Sequence, residues 1–330
     1  MKKVLCLFMG LLILMMSCSK KAIAESNVQQ DSSFSTSVAS NGISDVYFSK
    51  NIDAATLIKI YEKLSFNPKG KVGVKISTGE PPRSNYLKVE LIGDLVKKIN
   101  GTIIECNTAY GGRRASAEMH KQVAKEHGYT DIAEVDILDA EGDMNIPVAN
   151  GKRLNHLIAG SHQSNYDSIL VLSHFKGHQM AGFGGAIKNV GIGMSSASGK
   201  VLVHTAGTKT SGSIFYDKQD DWLEALAEMV KGMSDYYGNG KNIAYINVMN
   251  RLSIDCDCNG NPAEPDIHDT GILASKDPVA LDRACLDLIY KADGNEAFIN
   301  RVNRQHGEHT LSYANEIGLG NLDYNLISID

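Results

Sequence analysis

The chain has 330 residues, 43% of them hydrophobic and 22% charged. At about 150 residues per domain this is two units or one large α/β unit. Such proportions exclude a disordered, collagen-like or coiled-coil protein. A formal charge of -5 argues against gathering nucleic acid by basic charge, and no nucleic-acid partner is expected.

Lys2 and Lys3 precede an unbroken apolar run over residues 4–16. The run is shorter than the roughly twenty residues a membrane-spanning helix needs, and it has the form of a secretory leader. It ends Leu14-Met15-Met16-Ser17-Cys18, which resembles a bacterial lipobox with methionine replacing the usual leucine. Residues 1–17 are therefore expected to be a lipoprotein signal peptide, with Cys18 as the lipid (palmitate) attachment point. Residues 18–42, rich in Ser, Asn, Gln and Ala, read as a flexible tether. Residues 43–330 read as the α/β domain, with a subdomain boundary near 150–165. Ser19 resembles an outer-membrane sorting signal, so the expected location is the bacterial envelope, lipid-anchored and facing the periplasm. Four cysteines remain after Cys6 and Cys18, too few for a disulfide scaffold in so long a chain.

Residues 46–49 read as a strand, and Asp53 as the N-cap of a helix with Leu57, Ile60, Tyr61 and Leu64 on one face. Residues 71–77 alternate as β. Leu87, Leu91, Leu95 and Ile99 repeat at helical spacing, and residues 102–106 return as a buried strand. A helix over 115–127 closes at Gly128. Residues 167–173 (DSILVLS) form the clearest buried strand. A helix follows Gly185, a strand covers 200–204, an amphipathic helix covers 222–233 and a strand covers 243–248. Asp277-Pro278 opens a helix that turns Leu281, Cys285, Leu288 and Ile289 inward. This alternation predicts a mostly parallel, twisted sheet flanked by helices, in two α/β subdomains.

Polar chemistry gathers just after the strands, where open α/β sheets bind ligands. The segment HFKGHQMAGFGGAIKN carries His174, Lys176, His178, Gly182, Gly184, Gly185, Lys188 and Asn189. Its glycines permit close approach of a ligand, and the following helix would aim N–H groups at an anion. It is neither a P-loop nor a dinucleotide fingerprint. Arg113 and Arg114, also after a strand, suit a carboxylate or phosphate. Cys256 and Cys258, with Asp266, His268 and Asp269 downstream, have the donor types of a zinc or iron site, His174 being a further candidate ligand. A spacing of one residue is half a site, and a disulfide between such close neighbours would be strained.

Four stretches carry a family resemblance: VKISTGEPPRSNYL, NTAYGGRRASAEMHKQVAKEHGY, FKGHQMAGFGGAIKNVGIGMSSASGK followed by His204, and DCDC with DTGILASKDPVALDRA. Over about residues 45–290 the chain resembles the uncharacterised iron–sulfur-centre proteins built on domain of unknown function 362. Many relatives carry a four-cysteine ferredoxin-type insert after the position of Lys200. Here that stretch has no cysteine, so no [4Fe–4S] cluster is expected there. HQMAGFGGAIK also resembles, more distantly, a stretch of the nickel-pincer lactate racemase family. That resemblance implies Lys188 as a cofactor tether, His204 as a nickel ligand and His178 as a proton-transferring group. The family's other catalytic histidine falls near Arg113, which departs from the pattern.

The expected function is an envelope lipoprotein binding a divalent metal (zinc, iron or nickel) or a small anionic ligand at the HFKGHQMAGFGGAIKN segment, in a redox-related role. The alternative is a metal-cofactor-dependent enzyme acting on a small hydroxy acid, with His178, Lys188 and His204 as its catalytic groups.

Overall fold

Two runs of seven buried residues, one after Asp167 and one after Asn242, form the centre of the sheet. The computed structural model describes residues 42–330; the leader, Cys18 and the tether up to residue 41 lie outside them. In order, the first half forms β1 (Ser44–Ser49), α1 (Ala54–Lys63), β2 (Val72–Lys75), α2 (Val89–Lys98), β3 (Thr102–Glu105) and α3 (Ala117–Glu126). Short strands β4 (Val135–Ile137), β5 (Asp143–Pro147) and β6 (His156–Gly160) lead to β7 (Ser168–His174), β8 (Lys176–His178) and β9 (Gly182–Gly184). Then come α4 (Ala186–Gly193), α5 (Ala197–His204), α6 (Gln219–Tyr236), β10 (Ile243–Met249), β11 (Gly271–Ser275) and α7 (Pro278–Tyr290). The chain closes with α8 (Glu296–Arg304), α9 (Gly307–Glu316) and β12 (Tyr324–Ser328).

One eight-stranded sheet has the order β12-β1-β11-β10-β7-β2-β3-β4. Its pairs are parallel except those of β11 with β1 and with β10. The fold is thus mixed α/β with a mostly parallel sheet, flanked among the described residues by nine helices. Residues 150–165 hold β6, paired with β5 in a two-stranded ladder, and the chain then re-enters the large sheet at β7.

β7 and β10 are buried along their whole length, as central parallel strands covered on both faces must be. One apolar cluster, with Trp222, Leu226, Ile169 and Leu281, fills one face; a second, with Leu57, Ile60, Leu95 and Leu172, fills the other. Each fully buried aliphatic or aromatic side chain contributes about 1.5–3 kcal/mol over its exposed state. The helix starts read from the sequence hold. Asp53 accepts from Thr56 N at 2.7 Å, and Asp277 accepts from Val279 N and Ala280 N at 2.9 and 3.1 Å. Gly128 takes the left-handed backbone, φ 82°, that ends α3. No helix among the described residues is long and apolar enough to cross a membrane.

One element differs. Residues 200–204 form the last turns of α5 rather than a strand. Their alternating Val-Leu-Val pattern is that of β, but Ser196 caps the segment by accepting from Gly199 N at 3.2 Å, and tertiary burial then favours the helix.

Candidate functional site: a cysteine pair at the carboxyl edge of the sheet

Strands β2, β7 and β10 run parallel, so the loops that follow them meet at one edge. The loop after β10 carries Asp255-Cys256-Asp257-Cys258, and the β8–β9 hairpin after β7 lies against it. Gly177 N donates to Ser253 O at 2.8 Å. A Cβ on Gly177 would sit 2.3 Å from Ile254 O, so only glycine lets β8 approach this closely. The loop after β2 closes the other side: Glu80 N donates to Asp257 O at 2.7 Å and Arg83 N to Gly260 O at 3.0 Å.

Asp257 pins the cysteine segment from below. Its side chain is 1% exposed; Oδ1 accepts from His174 Nδ1 at 2.8 Å, and Oδ2 lies 2.9 Å from Lys176 Nζ. The carboxyl is held below the usual carboxylate range, burial opposing and Lys176 and His174 prevailing. His174 also donates from Nε2 to Asn250 O at 2.7 Å. Both partners are acceptors inside the protein, so both ring nitrogens of this buried histidine are occupied and neither faces an open site. Lys176, which also donates to His174 O at 2.7 Å, is likewise spent inside the protein rather than offered to a ligand.

Cys256 Sγ and Cys258 Sγ lie 2.7 Å apart, and Cys258 N donates to Cys256 Sγ at 3.2 Å. Cys256 is buried and Cys258 half-buried. Lys188, on the first turn of α4, places Nζ 3.9 Å from Cys256 Sγ. A ring nitrogen of His178 and both sulfurs lie within 4.8 Å of one another. Cys256 is held well below the ordinary thiol value, by the hydrogen bond from Cys258 first, then by Lys188 and His178. Cys258 is pushed above it, by its hydrogen bond to Cys256 first, then by burial and by the neighbouring charge on Cys256. The two shifts oppose each other, so Cys256 is the sulfur that ionises first and Cys258 the one that holds its proton longer.

His178 and His204 are fixed in opposite tautomers. His178 Nδ1 accepts from Met180 N and Ala181 N at 3.2 and 2.9 Å. Backbone amides only donate, so in the neutral ring the proton sits on Nε2. Neutral His178 therefore has no free lone pair for a metal but has a proton to offer a thiolate. His204 Nδ1 instead pairs with Lys200 O at 2.7 Å, which leaves the Nε2 lone pair open. Its ring stacks on Trp222 with centroids 5.2 Å apart. Burial pushes His204 down to about 4, with the charges of Lys188 and His178 adding to the effect. His178, Lys188 and His204 are thus electrostatically linked, and the two cysteines join them. His204 has the lone pair a metal needs, whereas Lys188 is turned to a sulfur rather than left free as a tether.

Other expected binding residues serve the scaffold. Ala186 N and Ile187 N, the amides expected to meet an anion, donate to Asp282 at 2.8 and 3.0 Å. A Cβ on Gly185 would fall 2.2 Å from that carboxylate. The start of α4 is thus closed by the protein's own anion. Gly182 lies against the backbone of Val302 and Gly307, and Gly184 against the stems of Lys176 and Lys188. Asn189 accepts from Lys75 Nζ at 2.7 Å and donates to Leu172 O and Ser173 Oγ, stitching α4 to β2 and β7. Arg113 forms a two-pronged pair with Glu126. Arg114, buried, pairs with Glu80 at 2.9 Å and Glu105 at 3.6 Å. With their carboxylates supplied internally, neither arginine is a free anion receptor. Asp266, His268 and Asp269 are exposed and lie outside the cysteine cluster; Asp269 accepts from Arg251 N.

No curated protein matches the chain. Among solved structures it is similar to the lactate racemase apoprotein from Thermoanaerobacterium thermosaccharolyticum, with 13% identity and a TM-score of 0.42 over 74% of this chain and 57% of that one. It is also similar to a protein from Thermotoga maritima, with 10% identity and a TM-score of 0.40 over 77% and 58%. The chain spans less than two thirds of either structure. A family model matches residues 72–287, from β2 into α7, and by that match the chain belongs to the family described as a domain of unknown function (DUF362).

Proposed function

We propose that this protein is a dithiol redox protein of the bacterial envelope, with Cys256 and Cys258 as the exchanging pair. The observation that carries the reading is the geometry: two sulfurs 2.7 Å apart, beside an ammonium at 3.9 Å and an imidazole whose lone pair is already used. That set stabilises a thiolate, the form that reacts.

The half-buried Cys258 is the sulfur an incoming disulfide meets. As the Cys258 proton passes to the Cys256 thiolate, the Cys258 thiolate so formed attacks one sulfur of R–S–S–R, forming Cys258–S–S–R and expelling R–S⁻. Cys256 gives its proton to that thiolate, attacks the Cys258 sulfur and releases the second R–S⁻. Two electrons pass from protein to substrate, and a Cys256–Cys258 disulfide remains. A ring closed across one residue is strained, and strained disulfides are the readily reduced, catalytic ones.

Oxidised protein should lose the mass of two hydrogens and should no longer bind phenylarsine oxide, a probe for paired thiols. The Cys256→Ser and Cys258→Ser variants should each fail to close the disulfide and should be trapped as mixed disulfides. The two sulfurs beside His178, within 4.8 Å of one another, support a second reading, a soft divalent metal site held by the sulfurs, which His178 could join only by giving up its Nδ1 amide contacts or its Nε2 proton. Stoichiometric zinc, iron or nickel in anaerobically purified protein, lost in both serine variants, would establish that reading in place of the first.

The envelope location rests on the leader-like residues 1–17 and on Cys18. In this reading the lipid on Cys18 ties the chain to the outer membrane, in a compartment where disulfides persist. Cys18→Ala should shift the protein from the membrane fraction to soluble or uncleaved material; a processed variant that stays fully in the membrane fraction would refute the anchor.

A further inference from the structure

The cysteine loop forms one wall of a second feature. Its two flanks, Arg251 on one side and residues 261–264 on the other, face residues 82–86 and Lys88 across a groove of about 340 Å³. Three cations, Arg83, Lys88 and Arg251, line it against one carboxylate, Glu264. None of the three forms an ion pair among the described residues, whereas Arg113, Arg114, Arg153 and Arg283 all do. Their hydrogen-bonding and ring contacts leave the charge uncompensated: Arg83 rests on the Asn261 amide oxygen, and Lys88 Nζ stands 3.5 Å over the Tyr86 ring. Lys88 also begins α2 without any side-chain cap, so the positive end of that helix adds to the field. Deeper in the lining, Ser84 is 2% exposed and its Oγ has no partner. The volume is that of a small-molecule site, at the lower end of the usual range.

We infer that this groove binds the carboxylate-bearing arm of a small anionic disulfide and sets its sulfurs toward Cys258. The inference rests on the dithiol reading and adds the substrate class. The wall that holds the anion and the wall that holds the sulfurs are one loop, so binding and exchange are geometrically joined. Asn261 stands three positions after Cys258, a backbone span of at most about 10 Å, so the flank of the groove and the sulfur are close neighbours along one loop.

The test exploits the sign of the whole chain. At a net charge of -5, long-range attraction alone favours a cationic oxidant. Reduced full-length protein is oxidised at low ionic strength by three disulfides of similar size: 3,3′-dithiodipropionate (dianion), bis(2-hydroxyethyl) disulfide (neutral) and cystamine (dication). The groove predicts the reverse order, the dianion fastest and about tenfold ahead of the neutral compound, a lead that shrinks as salt screens the charges. In a Lys88→Gln, Arg251→Asn double variant the dianion-to-neutral rate ratio should fall toward one. Asparagine is chosen because Arg251 has φ 47°, a backbone that Asn tolerates. Oxidation by all three with no preference for the dianion, or a ratio untouched by the double variant, overturns the groove and leaves the dithiol standing. Failure of all three to oxidise the protein overturns the dithiol reading, and this inference with it.

Discussion

Asp257→Asn is expected to lower the melting temperature by about 10 °C. The carboxylate is 1% exposed and sits between His174 and Lys176. Removing one member of a buried ion group leaves its partners uncompensated, at a cost of about 3–5 kcal/mol. For a domain of this size each kcal/mol is worth about 2–4 °C. The amide keeps one acceptor oxygen for His174 but turns a donor toward Lys176, so the substitution cannot be neutral. The effect has a definite pH dependence. Asp257 is lowered in the folded state below its ordinary value of 3.8, so its contribution is complete above that value and is lost as pH falls further. The gap between the two melting curves should be flat near neutral pH and should narrow below about pH 4. A shift under about 2 °C at pH 7 would mean that the cysteine segment is pinned by something else.

Much of the frame was legible because its signals are local. The periods that mark α1, α2, α7, β7 and β10 are short-range patterns of burial, and the caps at Asp53 and Asp277 depend on amides two or three residues away. The parallel sheet follows from alternation alone. The β order was hidden, because β1, β11 and β12 pair across hundreds of residues. At the site, residue type was legible but partner was not. His174, Lys176, Arg113, Arg114 and Asn189 look like ligand-binding groups, yet each is matched inside the protein, most of them by residues far along the chain. Two internal partners, Asp257 and the Asp282 that closes the start of α4, left a trace. Asp257 lies between the two cysteines singled out for chemistry. Asp282 falls one residue after Leu281 on the inward face of α7, where a buried carboxylate requires donors. The meeting of His178 with Cys256 depends on β8 lying against the loop after β10, through Gly177, and no spacing in the sequence encodes it. The reversed tautomers of His178 and His204 are set by backbone groups, which sequence patterns do not display.

Lys188→Met should raise the titration midpoint of Cys256 toward the ordinary thiol value of 9.0 by about one to two pH units. The ammonium stands 3.9 Å from the sulfur. At that separation two unit charges interact by about 4 kcal/mol in a medium of effective dielectric 20, and each pH unit corresponds to about 1.4 kcal/mol. Lys188 is only half-buried, so solvent screening reduces the full figure to about one half. The experiment is best done on Cys258→Ser protein, where a hydroxyl still donates to Cys256 and one sulfur of the pair remains to titrate. Ultraviolet absorbance of the thiolate reads the midpoint without requiring a reagent to reach a buried atom. The other thiols stay silent in the window: burial pushes Cys106 up to about 12 and Cys285 well above its usual value. In the intact pair the Lys188 charge lowers Cys258 as well, so its loss leaves less of the attacking thiolate and should slow disulfide exchange. Lys188→Arg keeps the charge and should restore most of the lowering. If the midpoint is the same with lysine, arginine and methionine, Lys188 does not hold the thiolate, and the lowering comes from the hydroxyl or thiol at position 258 and from His178.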